Sequence, residues 1–458
     1  MSVWMKENAR IPCPLAEAAE RFGEAIALFD GKTRWSFLDW HHAAEGMCAH
    51  LDDTAGPVGI IDPNHLSAAA MMFAVWRTGR SVALISHRTP DAQINVLRAR
   101  LGLTQVFHGH ELRVERMEAA RLQRTVTGGI GTILMTSGSS GSPKAVAHTL
   151  SAHLANAEGS NQNIIFQPGD VWLRSLSFHH VGGLALIFRA LRGGGAIGFG
   201  DTDADLAAAC RNLGVTHLSV VAVQLQRLLR SETTGLRLRA VLVGGGPVPE
   251  ALVDEALQRG MPIHTTYGMT EMGSQVATTP PNATRPILRT AGRPLPGRAL
   301  TLSPEGEIRV RGEPLMAGYL QDDGRLEPGT DAEGWYHTGD IGTLDEDGFL
   351  TVVGRRDLMF ISGGENIFPE EIERALMAVP GVEAAVVVAV PDETWGARPV
   401  AFIRSPSPID PTMFHVELSG RLARFKVPDR FLAWPDDAPG WSGKPPRRWF
   451  TERARALG

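Results

Sequence analysis

Short apolar runs alternate with helix-period segments through the first three-quarters of the chain. VGIID (58–62) reads as a buried strand, HLSAAAMMFAVWRTG as the helix after it, and SVALIS (81–86) as the next strand. The pattern returns as THLSVVA (216–222), the helix VQLQRLLRS and the strand LRAVLVGGG (238–246). In VPEALVDEALQRG, Pro249 and Glu250 occupy a first helical turn and Gly260 stops the helix. MPIHTTYGMTE supplies a further strand and turn. This alternation predicts a large N-terminal domain of layered α/β subdomains.

From about residue 290 the texture changes to short strands and turns, EGEIRVRGE and DGFLTVVGRRD, which predict a small β-rich element. Beyond Asp357, FPEEIERALMAVPGVEAAVVVAVPDETWGARPVAFI reads as helix–strand–strand, followed by the helix FHVELSGRLARF. That is a compact α+β unit of about a hundred residues. A boundary at Gly354–Asp357 divides the 458 residues into an N-terminal domain, 1–354, and a C-terminal domain, 355–458.

Composition narrows the picture mainly by exclusion. A net charge of −5, with both signs mixed along the chain, gives no reason to expect a nucleic-acid or acidic-membrane partner. Cys13, Cys48 and Cys210 are too few and too scattered for a disulfide framework or a zinc site, and they fit a reducing compartment. The first residues lack a basic segment leading into an apolar core. The longest apolar stretch, AAVVVAVP (384–391), is too short to span a bilayer. A soluble cytoplasmic protein is expected, with no membrane insertion.

The chemistry gathers first at ILMTSGSSGSPKAVAHT (133–149). Glycines 138 and 141 let the backbone curl so that successive N–H groups point inward, a nest suited to phosphate oxygens. Thr136, Ser137, Ser139 and Ser140 add hydroxyl donors, and Lys144 adds charge for the β- and γ-phosphates. A helix starting near Val146 is expected to aim its positive end at the same place. The loop is not a Walker motif, because Pro143 precedes Lys144 and Ala145 follows it. GGGAIG (193–198) satisfies G-x-G-x-x-G but follows a helix and leads into a strand, the reverse of a dinucleotide site.

TSGSSGSPK resembles the phosphate loop of the adenylate-forming superfamily, which comprises acyl- and aryl-CoA synthetases, peptide-synthetase adenylation domains and luciferases. YGMTE (267–271), YHTGD (336–340), GRRDLMFISGGENIFPEEIE (354–373) and SGKPPRR (442–448) match four further signatures of that superfamily in order. Within it, FHHVGGLALIFRAL (178–191), LVGGGPVPEALVDEA (242–256), TTYGMTEMGSQV (265–276), VPDETWGARPVAF (390–402) and RLARFKVP (421–428) look most like the o-succinylbenzoate–CoA ligases of menaquinone synthesis.

The resemblance implies two half-reactions: a carboxylate attacks the α-phosphorus of ATP, then the thiolate of coenzyme A displaces AMP. The implied cofactors and co-substrates are ATP, Mg²⁺ and coenzyme A, and the partners are small molecules. Another acyl or aryl acid, or a carrier-protein thiol, remains an alternative, and a homodimer is left open.

By the same resemblance, Lys444 would place charge between the carboxylate and the α-phosphate, although Pro445 and Pro446 depart from the family pattern there. Glu271 would hold Mg²⁺, with Thr270 beside it in the catalytic motif. Tyr267 would pack on adenine while Gly268 permits close approach, and Gly244, Gly245 and Gly246 would let adenine or the acyl group near the backbone. Asp340 would accept both ribose hydroxyls, assisted by Arg355. Asp357 would be the hinge, and Gly363 and Gly364 would line the pantetheine passage once the C-terminal domain has turned.

His179 and His180 are expected to point apart, and no third ligand lies at useful spacing for a metal. The resemblance implies that one of the two borders the acyl pocket, which one being open. Arg189, eight residues after Val181 on the same helical pattern, could pair with a second carboxylate on the acid. The alternative is a helix-surface charge.

Overall fold

The computed structural model describes residues 10–62, 64–112, 124–136, 143–202, 205–439 and 446–457. Two large sheets carry the first part of the chain. One has nine strands in the order Arg293–Pro294, Ser274–Thr278, Ile263–Met269, Ala240–Val243, His217–Val220, Val171–Leu173, Ala196–Gly198, Ile26–Phe29 and Arg34–Ser36. Its six strands from Ile263–Met269 to Ile26–Phe29 run parallel. The other has seven, in the order Leu326–Glu327, Gly318–Leu320, Lys144–Thr149, Ile130–Thr136, Val82–Ile85, Val58–Ile61 and Gln105–His108.

The parallel strands are apolar on both faces because helices cover both sides. Between the sheets lie Leu66–Arg77, Leu150–Asn163 and Val181–Gly193, whose buried side chains share one core with Leu28 and Ala240 of the first sheet and Val58 and Leu134 of the second. Leu66–Arg77 is buried all round except at Ser67. Its alanines let the neighbouring elements close in, while Met71, Met72, Phe73 and Trp76 fill the gap at about 1.5–3 kcal/mol each. Trp76 still satisfies its indole, donating to Gly131 O at 2.8 Å. Helices Leu206–Asn212, Ala222–Arg230 and Glu250–Gln258 form a second core against the outer face of the nine-stranded sheet.

A four-stranded antiparallel sheet, Arg298–Leu302, Glu307–Gly312, Tyr336–Leu344 and Leu350–Arg355, forms the expected β-rich element. Beyond it, the hairpin Phe360–Ser362/Glu365–Ile367 precedes helix Pro369–Met377 and the sheet Ala384–Asp392, Gly396–Arg404, Arg430–Ala433. Two cores are made there entirely of residues 360 and later.

One expectation fails. No helix starts near Val146: Lys144–Thr149 is a strand, antiparallel to Ile130–Thr136, and the helix begins at Leu150 behind the Thr149 cap. The alanines of KAVAHT favour a helix intrinsically, but pairing with Ile130–Thr136 on one side and Gly318–Leu320 on the other overrides them. With a strand and not a helix beginning at Lys144, the helix-dipole argument falls. The triple glycine at 193–195 is a packing device, since a Cβ on Gly193 would sit 1.8 Å from Phe166 O. Among the described residues no helix is long and apolar enough to cross a membrane.

Candidate active site

Chain segments that leave the carboxyl ends of parallel strands converge on one side of the nine-stranded sheet, where α/β proteins form their crevices. Gly244–Gly246 follow Ala240–Val243, the segment to His179 and His180 follows Val171–Leu173, and Tyr267 lies near the end of Ile263–Met269. A bulge between Tyr267 and Gly268 turns the last strand into the short helical turn Thr270–Met272. Gly268 is needed for the protein's own backbone, because a Cβ there would meet Ser274 O at 2.2 Å.

The chain has three tyrosines, and all of them meet the two carboxylates of this region. YGMTE and YHTGD each begin with Tyr and end four residues later with an acid. The phenol of each donates to the acid of the other: Tyr267 Oη to Asp340 Oδ2 at 2.6 Å, and Tyr336 Oη to Glu271 Oε1 at 3.2 Å. Tyr319 completes the second cluster, donating to Glu271 Oε1 at 2.8 Å and lying 2.8 Å from Tyr336 Oη. Burial first, then the facing carboxylate, pushes all three phenols above their ordinary range, so they stay protonated as donors.

Tyr267 carries a contact that its expected role did not include: it is buried, and its hydroxyl supports Asp340. Asp340 is further fixed by its backbone N–H, which donates to Thr338 Oγ1 at 3.0 Å, while Thr338 Oγ1 donates to Ile308 O. Arg355, its neighbour across the strand pair, reaches Asp340 Oδ1 at 3.2 Å and Thr338 O at 2.9 Å. The same guanidinium donates to Asp357, Nε to Oδ1 at 3.0 Å and Nη2 to Oδ2 at 3.3 Å. The residue expected to bind ribose and the residue expected to be the hinge share one arginine.

Thr136 and Lys144 face each other at the ends of the hairpin. Lys144 Nζ lies 4.6 Å above the ring of Tyr319. Ser137, Gly138, Ser139, Ser140, Gly141 and Lys444 lie outside the described residues. Glu271 Oε2 accepts no hydrogen bond among the described residues, while Oε1 carries the phenols. That hard oxygen, without a partner among the described residues, fits a divalent cation shared with phosphate oxygens.

Gly244 is close-packed, a Cβ there falling 2.5 Å from Thr266 Cγ2, whereas a Cβ on Gly246 would meet nothing within 4 Å. Gly363 and Gly364, with φ of +59° and +88°, make the two-residue turn of the hairpin from Phe360 to Ile367. The ring of Trp395 covers Gly363, where a Cβ would approach it to 2.6 Å.

His179 and His180 do not diverge: their ring centroids are 4.3 Å apart. His180 immediately precedes helix Val181–Gly193, and Ser177 Oγ, anchored on Asn64 Oδ1 at 2.8 Å, holds His179 Nδ1 at 2.6 Å. Burial and the neighbouring His180 lower His179 to about 3, and burial lowers His180. Neither contributes charge near neutrality. Among the described residues no cluster suits a metal ion held by histidine, cysteine and acid side chains alone.

Arg189 is no surface charge. It is 2% exposed, its guanidinium stands 4.4 Å over Trp172, and its Nη1 has no hydrogen-bond partner among the described residues. Burial, aided by Arg298, lowers it to about 9, which leaves it cationic at neutral pH with no carboxylate paired to it among the described residues. Tyr319 and the supporting role of Tyr336 are absent from the sequence reading. The scarcity of tyrosine in a chain with 17 Phe and 10 Trp was the available signal, since phenols kept amid so many plain rings mark places that need a hydroxyl.

The chain matches the AMP-binding enzymes over residues 128–320 and the C-terminal domain of AMP-binding enzymes over residues 371–439. A 2-succinylbenzoate–CoA ligase of Bacillus cytotoxicus is 40% identical over 443 residues, covering 88% of this chain and 91% of that protein. The solved structure of o-succinylbenzoate CoA synthetase (MenE) from Bacillus subtilis with the acyl-adenylate intermediate OSB-AMP has a TM-score of 0.86 at 27% identity, covering 96% of this chain and 98% of that one. The same enzyme with ATP and magnesium ion has a TM-score of 0.84 at 28% identity, covering 94% and 97%. The chain belongs to the family of AMP-binding enzymes and stands there among the 2-succinylbenzoate–CoA ligases.

Proposed function

We propose that this protein is an AMP-forming acid–CoA ligase that converts 2-succinylbenzoate, ATP and coenzyme A to the acyl-CoA thioester, AMP and diphosphate. In the first half-reaction a substrate carboxylate oxygen attacks the α-phosphorus and the bond to diphosphate breaks. In the second, the thiolate of coenzyme A attacks the acyl carbon and AMP leaves. The protein's part is to position groups and to meet developing charge.

Asp340, held by Tyr267 and Arg355, accepts the ribose hydroxyls. Lys144 and the hydroxyls of the 136–140 segment take the departing diphosphate, and Lys444 reaches the α-phosphate. Glu271 and phosphate oxygens would hold Mg²⁺, which neutralises phosphate charge when bound. Asp357 is the hinge between residues 1–354 and 355–458, and Gly363–Gly364 give the pantetheine arm its passage. The same reading takes the enzyme to work in the cytoplasm; light scattering on the purified protein decides whether it is a homodimer.

The observation that carries the choice of acid is Arg189, a buried guanidinium with no carboxylate paired to it among the described residues. An acid with two carboxylates can offer one to ATP and the other to this cation. Diphosphate release with a panel of mono- and diacids, with and without coenzyme A, tests the reading. Release that depends on 2-succinylbenzoate, with thioester appearing only when coenzyme A is present, is expected. A preference for a monoacid, or transfer only to a phosphopantetheinyl carrier, would overturn it.

A further inference from the structure

Lys144 and Glu271, opposite in charge, both meet one phenol, the lysine at its ring and the carboxylate at its hydroxyl, yet they form no ion pair within 4.0 Å. We infer that Tyr319 is a positioning residue that holds these two groups apart and aimed, the lysine on its ring face and the carboxylate on its hydroxyl. The inference rests on the reading of Glu271 as the cation ligand and Lys144 as a phosphate ligand.

The geometry of the phenol is itself fixed from several sides. Tyr319 lies on Gly318–Leu320, paired with the strand that begins at Lys144, so ring and lysine come from adjacent strands. Its side chain is buried with Val146 and Met316, and Tyr336 packs against the group. Gly329 lies against the ring, a Cβ there falling 3.2 Å from Tyr319 Cε2.

The hydroxyl decides how Glu271 stands. Two phenolic hydrogens serve three close contacts: Tyr319–Glu271, Tyr336–Glu271 and Tyr319–Tyr336. They can be shared as a relay through either phenol or as two donations to Glu271. The Tyr319–Glu271 contact, 2.8 Å against 3.2 Å for Tyr336, favours the arrangements in which Tyr319 donates, and in every arrangement the hydrogen goes to Oε1, so the clamp loads one oxygen and presents the other. The ring decides where Lys144 stands. Without an aromatic face, an exposed lysine beside a carboxylate would swing toward it, and each charge would cancel the other before a triphosphate arrived.

Tyr319→Phe removes the hydroxyl and keeps the ring; Tyr319→Leu removes both. Mn²⁺ is titrated by electron paramagnetic resonance into each variant preloaded with α,β-methylene-ATP, and the analogue's affinity is measured separately in metal-free buffer by calorimetry. Tyr319→Phe should weaken Mn²⁺ about fivefold and leave metal-free affinity within twofold. Tyr319→Leu should in addition weaken metal-free affinity about threefold. Tyr336→Phe should move the Mn²⁺ constant less than Tyr319→Phe does.

Where the leucine variant fails to melt cooperatively, pentafluorophenylalanine at 319 replaces it, since it keeps the shape and reverses the ring's face potential. An unchanged Mn²⁺ constant in Tyr319→Phe, or equal metal-free affinities in the ring-bearing and ring-less variants, overturns the inference. Glu271→Gln separates the two layers. If it too leaves Mn²⁺ binding intact, the reading of Glu271 fails; if it abolishes binding while Tyr319→Phe does not, only the role of Tyr319 fails.

Discussion

Tyr267→Phe separates two roles that share one side chain. A ring that only packs on adenine survives the change, whereas a hydroxyl that supports Asp340 does not. In the native protein Tyr267 donates at 2.6 Å to Asp340 Oδ2, and Arg355 holds Oδ1 at 3.2 Å. A hydrogen bond to a charged group contributes about 1.5–3 kcal/mol. With Arg355 still in place the lower end applies, about 1.5 kcal/mol, which is close to tenfold in a binding constant.

The carboxylate is then free to rotate about its one remaining side-chain anchor, and bidentate capture of the ribose suffers. Calorimetry should show ATP binding the variant about tenfold more weakly. The 2′- and 3′-deoxy analogues, which cannot use both oxygens, should bind variant and native protein almost alike. Because burial and Asp340 keep the phenol protonated, the deficit should not change between pH 6 and 9. An ATP dissociation constant within twofold of the native value would refute the reasoning and return Tyr267 to a purely aromatic role.

Arg189→Met should raise KM for a diacid by at least tenfold while leaving a monoacid nearly unaffected; it should also stabilise the ligand-free fold, because it removes a buried cation that has no carboxylate partner among the described residues. Equal effects on both acids would remove the second-carboxylate role. Burial foremost lowers His41 to about 3, His148 to about 4, His179 to about 3 and His217 to about 4, from 6.5. The unfolded chain takes up protons that the folded one refuses, so this stability is complete above pH 6.5 and is lost as pH falls toward 4. For His148 it amounts to about 3 kcal/mol. Melting curves between pH 7.5 and 4.5 should therefore fall less steeply in His148→Gln, and an identical slope would reject the assignment. Lys444→Ala should abolish adenylation yet spare thioester formation from synthetic acyl-adenylate, while Asp357→Pro should impair the second step more than the first. Equal losses in both half-reactions would count against a turning C-terminal domain.

The sheets and their covering helices were readable because buried parallel strands announce themselves as unbroken apolar runs. The strand Lys144–Thr149 was not, for a related reason. Ala145 to His148 are all buried, so no alternation remained to distinguish the strand from a short helix. The family resemblance singled out Glu271 and Asp340 as candidates, but only folding shows that each is supported from the other's segment. Arg189 was placed on its helix by periodicity, whereas its burial against Trp172 depends on a strand from the far side of the layer. Tyr319 lay in an undistinguished stretch, MAGYLQ, and drew meaning only from strand pairing that brings residue 319 beside residue 146.

Arg355 gives the molecule a single electrostatic joint between two events that a turnover must keep in order. A nucleotide bound as proposed, drawing Asp340 toward its sugar, would alter how strongly the guanidinium can hold Asp357, and a torsion at Asp357 would alter the grip on Asp340. Thermodynamic reciprocity makes the two influences equal in size. On the proposed reading, in which Asp340 holds the ribose and Asp357 is the hinge, occupancy of the sugar subsite and the swing of the final hundred residues would be geared together, so that release of AMP and return to the starting posture would become two descriptions of one relaxation.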